Sequence, residues 1–567
     1  MIEKSRSLLQ AGALQTDGGL GGWLAIAYLE TGRPDIHLSR SEFRAKAYQY
    51  AAVLQQLGVK AGDLVVIAHT QNLESIYAFW GAMLVGAVPS MFPTLTEKLD
   101  AAVYMGNMEE LVKLSDVRLI LTTDDFAPLL AERVPCRVVG SAVLQQGDLV
   151  GEFVPVYTPT GEEIAFLQHS SGTTGLQKGV ALSHRAVLNQ LTSYSEVMGL
   201  NGRDVVVSWL PLYHDMGLIA GFLLPLVAGI PLVLMSPFDW VRHPALLFRG
   251  IDSYQGTLCW LPNFAYNHSA RRIRERDLAG LSAESMRLFI NCSEPVRAES
   301  HEMFLERFGA IGVQREMLGV SYAMAENTFA VTQTEPGWPV RLDVVDRAAL
   351  EELGEAVLVE EGRVGAVVKV SCGRPIPGTE VRIVNSVGEP VAERQVGEVA
   401  VRSNCMLSGY YKRPDLQPFQ DGWYLTGDRG YLAAGALFVI GRSKDLIINA
   451  GKNIYPQDIE AIVNEVPGVH AGRVVVFGVP DEREGTELIV VVAEVEANIL
   501  GVDTAERKEI NRRIRQEVAR RSMVSAAYVT LVEPRWLLKT SSGKIARGAN
   551  REKWLRVQRK VNYLYID

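Results

Sequence analysis

IAFLQHSSGTTGLQKGVALSHRAVLNQL, Ile164 to Leu191, sets an apolar run, a polar glycine-rich stretch and a second largely apolar run end to end. The middle segment, Ser170 to Gly179, is dominated by Ser, Thr and Gly and carries one cation, Lys178. Serine and threonine hydroxyls compete with regular backbone pairing, and glycine loses the most conformational freedom on folding, so the segment predicts a loop. IAFLQ before it predicts a buried strand, and VALSHRAVLNQL after it predicts a helix. A loop of this composition turns backbone N–H groups, hydroxyls and an ammonium toward one anion, and phosphate is the guest it suits. It is not a Walker A loop, which needs Ser or Thr after its lysine, because Lys178 is followed by Gly179. A flexible surface linker is the competing reading of the same composition.

The flanking chain supports an α/β organisation. DLVVIAHT (Asp63 to Thr70), RLILTTDD, PLVLMSP, TLCWLP and MRLFINC are short runs rich in strand formers. Helical patterns such as LESIYAFWGAML (Leu73 to Leu84) and AESHEMFLERFG (Ala298 to Gly309) lie between them. This alternation predicts parallel sheets covered by helices. A chain of 567 residues with 48% apolar content predicts more than one domain, each with a real core. The uncharged stretch Met216 to Met235 is long enough to cross a bilayer. Pro225, Pro231 and three glycines interrupt it, however, so a buried helix, a turn and a central strand is the better reading.

Net charge is −8 and the pI about 5.8, with no long basic run, which argues against nucleic-acid binding. The cysteines (Cys136, Cys259, Cys292, Cys372, Cys405) form no CxxC pair, so neither a disulfide framework nor a zinc site is expected and a reducing cytoplasm is. The start MIEKSRSLLQ has no apolar signal core.

Further motifs follow downstream. GVSYAMAENT (Gly319 to Thr328) offers Tyr322 and Glu326; GWYLTGDRGYL contains Asp428; FVIGRSKDLIINAGKNIYPQDIE contains Arg442 and Lys444; KTSSGKIAR contains Lys544. GVSYA also fits a hydrolase elbow with Ser321 as nucleophile, although no His/Asp partners stand out. The composition changes near Arg442-Ser443-Lys444, where a smaller, more charged segment begins.

The order and spacing of SSGTTGLQKGV, YAMAE, YLTGD, GR and SSGK resemble the adenylate-forming superfamily over nearly the full length. SWLPLYHDMGLIAGFLLPL, NCSEPV and INAGKNIYPQDIE are most similar to fatty acyl-AMP ligases. The resemblance implies an α/β fold with a large N-terminal domain of several subdomains and parallel-rich sheets, residues 1–443. It implies a small mobile α+β C-terminal domain, 444–567, hinged at Lys444 and carrying the catalytic lysine, Lys544. The chemistry it implies is activation of a carboxylic acid, a fatty acid in the first place, by ATP with Mg²⁺. The acyl group would then pass to the phosphopantetheine thiol of an acyl carrier protein, with CoA as the alternative acceptor.

By the same resemblance, Ser170, Ser171, Gly172, Thr173, Thr174 and Lys178 hold the β- and γ-phosphates, and Glu326 holds Mg²⁺. Tyr322 stacks on adenine, Ser293 and Glu294 line the nucleotide pocket, and Asp428 binds the ribose hydroxyls with Arg442 behind it. His214 guards the acyl pocket, with Asp215 beside it. The loop GTTGLQKG looks more like that of acyl-CoA ligases. The long segment Thr332 to Cys372 instead looks like the insertion of fatty acyl-AMP ligases, which restrains the C-terminal domain and disfavours CoA use.

Overall fold

The computed structural model describes residues 5–11, 14, 21–95, 101–145, 157–169, 178–449, 452–481, 486–500, 505–522, 524–540 and 543–563. Two large sheets organise the N-terminal part. In the first, strands Leu318–Ala323, Leu288–Asn291, Leu258–Leu261, Val206–Ser208, Leu232–Met235 and Leu24–Leu29 lie side by side in that order, all parallel. Antiparallel strands close its edges: Ala330–Gln333 and Arg374–Pro375 on one side, Ile36–Ser39 on the other. The second runs Gly409–Tyr410, Gly179–Ser183, Ile164–His169, Val88–Met91, Leu64–Ile67, Val117–Thr122 and Arg137–Gly140. Helix Leu73–Val85 sits between the sheets, which is why its sequence is apolar all round rather than on one stripe. Phe79 shows the sandwich directly: its ring lies 5.7 Å from Phe166 of the second sheet and 6.2 Å from Phe222 on the first sheet's side.

The uncharged stretch from Met216 is buried protein core. It opens as a π-helix, Met216–Leu223, continues as a short α-helix, Leu224–Ala228, turns at Gly229 and ends as strand Leu232–Met235. Gly217 permits this wide turn, because a Cβ there would collide with the Pro211 carbonyl. Among the described residues no helix is long and apolar enough to cross a membrane.

The opening stretch departs from expectation at one point. VALS is not helical. Gly179–Ser183 forms a strand antiparallel to Ile164–His169, with Gly179 opposite His169, and helix His184–Val197 starts only at the Ser183 cap. Val180, Ala181 and Leu182 are buried, and a short apolar run buried on both sides satisfies strand and helix patterns equally. The Ser/Thr/Gly segment therefore joins two strands and is not followed directly by a helix N-terminus.

A five-stranded antiparallel sheet follows, built on Trp423–Ala433 between Gly397–Ser403 and Ala436–Arg442. The architecture changes at the single turn Ser443–Asp445. Beyond it, strands Val469–Asp481, Thr486–Val495 and Ala526–Val532 form a small sheet. Helices Pro456–Asn464 and Ala505–Ser522 pack on one face, and Trp554 of helix Arg547–Tyr563 packs on the other.

The long segment Thr332 to Cys372 is an ordered unit. Strands Leu342–Asp346 and Ala366–Val370 pair antiparallel around a π-helical turn, Ala349–Leu353. Val345, Leu350 and Ala356 pack with Tyr431, Phe438 and Tyr455, so the unit belongs to a core that reaches across residue 444. Its polar groups meet the C-terminal part: Lys369 pairs with Asp458 at 3.2 Å, Lys452 with Glu352 at 2.9 Å, and the Asn453 amide donates to the Glu351 carbonyl at 3.1 Å.

Candidate active site

Strand Leu318–Ala323 ends in a tight turn, Ala325–Asn327, and the chain returns as Ala330–Gln333. This hairpin presents Tyr322 and Glu326 at the strand's C-terminal end, where ligands of parallel sheets gather. The Ser321 hydroxyl points the other way and donates to the Thr332 carbonyl at 2.9 Å. Buried mid-hairpin with its proton committed to backbone, Ser321 is not a hydrolase nucleophile, and that reading is dropped.

Asp428 and Arg442 are opposite each other on adjacent antiparallel strands. The Arg442 Nε donates to Asp428 Oδ1 at 3.0 Å, and the Tyr322 hydroxyl donates to Oδ2 at 2.6 Å. The Asp428 charge raises the Arg442 pKa, against the opposing effect of burial. Burial, reinforced by the same carboxylate, holds Tyr322 well above its ordinary value. The three residues form one hydrogen-bonded unit.

Glu326 is half-buried and accepts from the Tyr410 hydroxyl at 3.2 Å, and the Tyr424 hydroxyl lies 3.2 Å from that of Tyr410. Burial raises the Glu326 pKa above its ordinary value, with Asp215 adding repulsion. Among the described residues no cation pairs with this carboxylate within 4.0 Å. Lys178 lies with its ammonium 4.9 Å over the Tyr410 ring. Ser170, Ser171, Gly172, Thr173 and Thr174 lie outside the described residues.

A third corner is made by His214, Asp215, Cys292 and Ser293. Asp215 accepts from the Met216 N–H and caps the π-helix; His214 Nδ1 lies 2.5 Å from Asp215 Oδ1, off the line of a well-formed hydrogen bond. Burial pushes the Asp215 carboxyl up, but His214 and the Lys544 ammonium outweigh it and hold the group below its ordinary value. Burial likewise raises the Cys292 thiol, to about 12, while Lys544 opposes it. Lys544 itself belongs to the C-terminal part of the chain. Its loop is fixed by reciprocal contacts: Thr540 N–H donates to the Lys544 carbonyl at 2.7 Å, and Lys544 N–H to Thr540 Oγ1 at 3.2 Å. Arg547, three residues on, pairs with Asp445 and Glu460 at 2.5 and 2.9 Å.

Ser293 holds a left-handed backbone, φ 71°, with its hydroxyl near Met216 Sδ at 3.8 Å. Glu294 follows, and its carboxylate accepts the Phe264 N–H at 2.9 Å, at the start of helix Asn263–Arg272. This contact ties the Ser293–Glu294 turn to that helix. Tyr410 and Tyr424 went unread in the sequence. Tyr424 stands inside the YLTGD motif, and Tyr410 inside SGYYKRP, an aromatic pair ahead of a basic turn.

Residues 22–411 match the model of the AMP-binding enzymes, and residues 451–551 that of the AMP-binding enzyme C-terminal domain. The chain belongs to the AMP-binding enzyme family. Its fold is the α/β fold of adenylate-forming enzymes, a large N-terminal domain and a small C-terminal one, and its chemistry is ATP-dependent activation of a carboxylic acid. It is 31% identical over 554 residues to the medium-chain-fatty-acid–[acyl-carrier-protein] ligase JamA of Moorena producens (strain JHB), spanning 94% of this chain and 92% of that protein. It is 32% identical to the long-chain-fatty-acid–AMP ligase FadD26 of Mycobacterium marinum (strain ATCC BAA-535 / M), spanning 91% of each. Among solved structures, one from a study of fatty acyl-adenylate ligases of E. coli and L. pneumophila superposes with a TM-score of 0.89 at 29% identity, covering 99% of this chain and 100% of that one.

Proposed function

We propose that the chain activates a fatty acid as its acyl-adenylate and passes the acyl group to the phosphopantetheine thiol of an acyl carrier protein. A carboxylate oxygen attacks the α-phosphorus of ATP, the bond from phosphorus to the pyrophosphate oxygen breaks, and pyrophosphate leaves. In the second step the thiol sulfur attacks the acyl carbonyl, the bond to the AMP oxygen breaks, AMP leaves, and the thiol proton goes to solvent. The observation that carries the reading is the hydrogen-bonded unit of Asp428, Arg442 and Tyr322, whose tyrosine is set on the same hairpin end as the Glu326 carboxylate. Lys544 on the C-terminal domain supplies a cation for two anions that must meet, since positioning and charge stabilisation dominate phosphoryl chemistry.

The remaining residues take roles that their surroundings support. Asp428, already oriented by Arg442 and Tyr322, receives the ribose hydroxyls; the Tyr322 ring and Ser293 flank the nucleotide; His214 borders the acyl entrance. Ser170, Ser171, Gly172, Thr173, Thr174 and Lys178 hold the β- and γ-phosphates. Glu326 fits Mg²⁺: it is a half-buried carboxylate with a hydroxyl donor and no paired cation among the described residues, and Mg²⁺ takes one or two carboxylates beside phosphate oxygens. When bound, the ion would neutralise charge on the phosphates.

Residues 1–443 and 444–567 act as the two moving units, turning about Lys444. The contacts of the Thr332–Cys372 unit with Asp458, Lys452 and Asn453 favour a carrier protein over free CoA, because they hold the C-terminal domain in the adenylating pose. The buried, unpaired cysteines Cys259, Cys292, Cys372 and Cys405 suit a cytoplasmic enzyme. The test is acid-dependent ATP–pyrophosphate exchange across a carboxylate panel, followed by product analysis with CoA and with a carrier protein bearing its arm. Acyl-AMP should accumulate in the presence of CoA and be consumed by the carrier. Rapid stoichiometric acyl-CoA formation would overturn the choice of acceptor.

A further inference from the structure

We infer that Tyr410 is a positioning residue that ties the lysine of the phosphate loop to the metal-binding carboxylate, with Tyr424 as its partner. The inference rests on the reading of Glu326 as the Mg²⁺ ligand and adds how that ligand is placed. Lys178 and Glu326 come from different sheets, and nothing local in sequence sets the distance between them. The segment 407–411 does so. Its backbone is zipped to the strand after the loop: Ser408 N–H donates to the Ala181 carbonyl at 2.9 Å and Tyr411 N–H to the Gly179 carbonyl at 2.8 Å, with Tyr410 opposite Val180. Its other end is tied to the Glu326 turn, where Leu407 N–H donates to the Glu326 carbonyl at 2.8 Å.

The Tyr410 side chain spans what remains. Its ring lies 4.9 Å beneath the Lys178 ammonium and its hydroxyl donates 3.2 Å to Glu326 Oε1. Lys178 is turned onto a ring face and away from an ion pair with Glu326, which leaves its charge for a phosphate and the carboxylate for a metal. The Tyr424 hydroxyl, 3.2 Å from that of Tyr410, limits where the first hydroxyl can swing. Ring and hydroxyl thus serve two ligand groups of one magnesium triphosphate, and the two services are separable by substitution.

The experiment uses the full-length enzyme and Mn²⁺ as the probe, titrated by electron paramagnetic resonance in the presence of α,β-methylene-ATP. Metal-free binding of the analogue is measured alongside. Tyr410→Phe keeps the ring and removes the hydroxyl. Its Mn²⁺ affinity should fall about 10-fold, the low end of what loss of an outer hydrogen-bond partner costs a metal site, with metal-free nucleotide affinity unchanged. Tyr410→Leu removes both and should weaken metal-free nucleotide binding as well, which a merely structural role of the hydroxyl would not produce. Tyr424→Phe, which keeps Tyr410 in place, should lower Mn²⁺ affinity by a smaller factor, about 3-fold by the same principle. Glu326→Gln is the benchmark. If it weakens Mn²⁺ binding while Tyr410→Phe and Tyr424→Phe both match wild type, the role given to the tyrosines is overturned and Glu326 keeps its own. If Glu326→Gln leaves Mn²⁺ binding untouched, the metal reading falls and the positioning role with it. Should Tyr410→Phe fail to fold, an unchanged Mn²⁺ affinity in Tyr424→Phe overturns the inference.

Discussion

Two charge clusters of the molecule are built differently. Asp428 and Arg442 are cross-strand partners in one sheet, and Tyr322 closes the set from the neighbouring sheet. Backbone register alone brings the charged pair together. At the seam, Asp458 at the start of helix Pro456–Asn464 meets Lys369 of the inserted unit, and the Arg297 guanidinium donates to the Gln457 carbonyl at 2.6 Å. Burial pushes Asp458 up, but Lys369, Arg297 and Arg347 together hold it below its ordinary value. All three cations lie on the N-terminal side of residue 444. The first cluster is fixed by its sheet; the second is made only when the domains are docked. One cluster is built in one piece and the other joins two parts of the chain, a division that suits the two-step reaction proposed above.

Removing the lysine proposed to act in adenylation, which belongs to neither cluster, gives the largest expected effect. Lys544→Ala should lower the adenylation rate by about 10²–10³, the usual loss for one preorganised donor aimed at transition-state charge. ATP affinity should stay near wild type, since the Asp428 unit is untouched, and transfer from synthetic acyl-AMP should suffer much less. Adenylation rate, transfer rate and ATP affinity in one preparation decide it; near-normal adenylation would remove Lys544 from the mechanism.

Weakening the latch itself should matter less. Removing residues 343–359 would be a poor test of the inserted unit, because Val345, Leu350 and Ala356 are core. Lys369→Ala leaves that core whole and strips one of three cations from Asp458. A fully orphaned buried charge costs about 3–5 kcal/mol, so with two cations remaining roughly 1–2 kcal/mol of docking energy should be lost. The outcome is about a 10-fold shift toward the undocked domain, read as faster acyl transfer to CoA with ATP affinity constant. CoA use equal to wild type would mean that the seam does not restrain the domain.

The same contrast explains what could be read from the sequence. The motifs that carry Asp428, Arg442, Glu326 and Lys544 were legible because each is short and local, and the roles proposed for these residues rest on them. VALS was misread because three apolar residues and a serine carry no period, and only pairing with Ile164–His169 makes them a strand. The tie from Glu294 to the Phe264 N–H was not legible, because nothing in NCSEPV points to a residue 30 positions upstream. Tyr410 was invisible because its partners, Lys178 and Glu326, reach it only through sheet pairing. The seam was unreadable in detail because Arg297, Lys369 and Asp458 share no local pattern, though the length of the inserted segment marked where to look.

The smallest expected effect is a pH dependence at the seam. Glu351 is almost fully buried in the inserted unit, 3.4 Å from Arg347, and its carbonyl holds Asn453 across the seam. Burial raises its pKa from 4.5 to about 7, with Asp458 adding to the rise and Arg347 and Lys369 opposing it. A carboxyl raised in the folded state binds its proton more tightly there than in the unfolded chain. Its contribution is therefore complete below pH 4.5 and is lost as pH climbs through 7. The two values differ by about 3 kcal/mol at most. Much of that belongs to the inserted unit and is indifferent to docking, so the change in melting temperature should be only about 2–4 °C between pH 5 and 8. Glu351→Gln, which mimics the protonated side chain, should flatten this part of the melting profile and keep the domain docked at pH 8. CoA use in the variant should then stay at its low-pH level where that of the wild type rises. A wild-type profile that Glu351→Gln reproduces at every pH would show that Glu351 does not titrate in this window, and that the pH-independent contacts of the seam hold the latch.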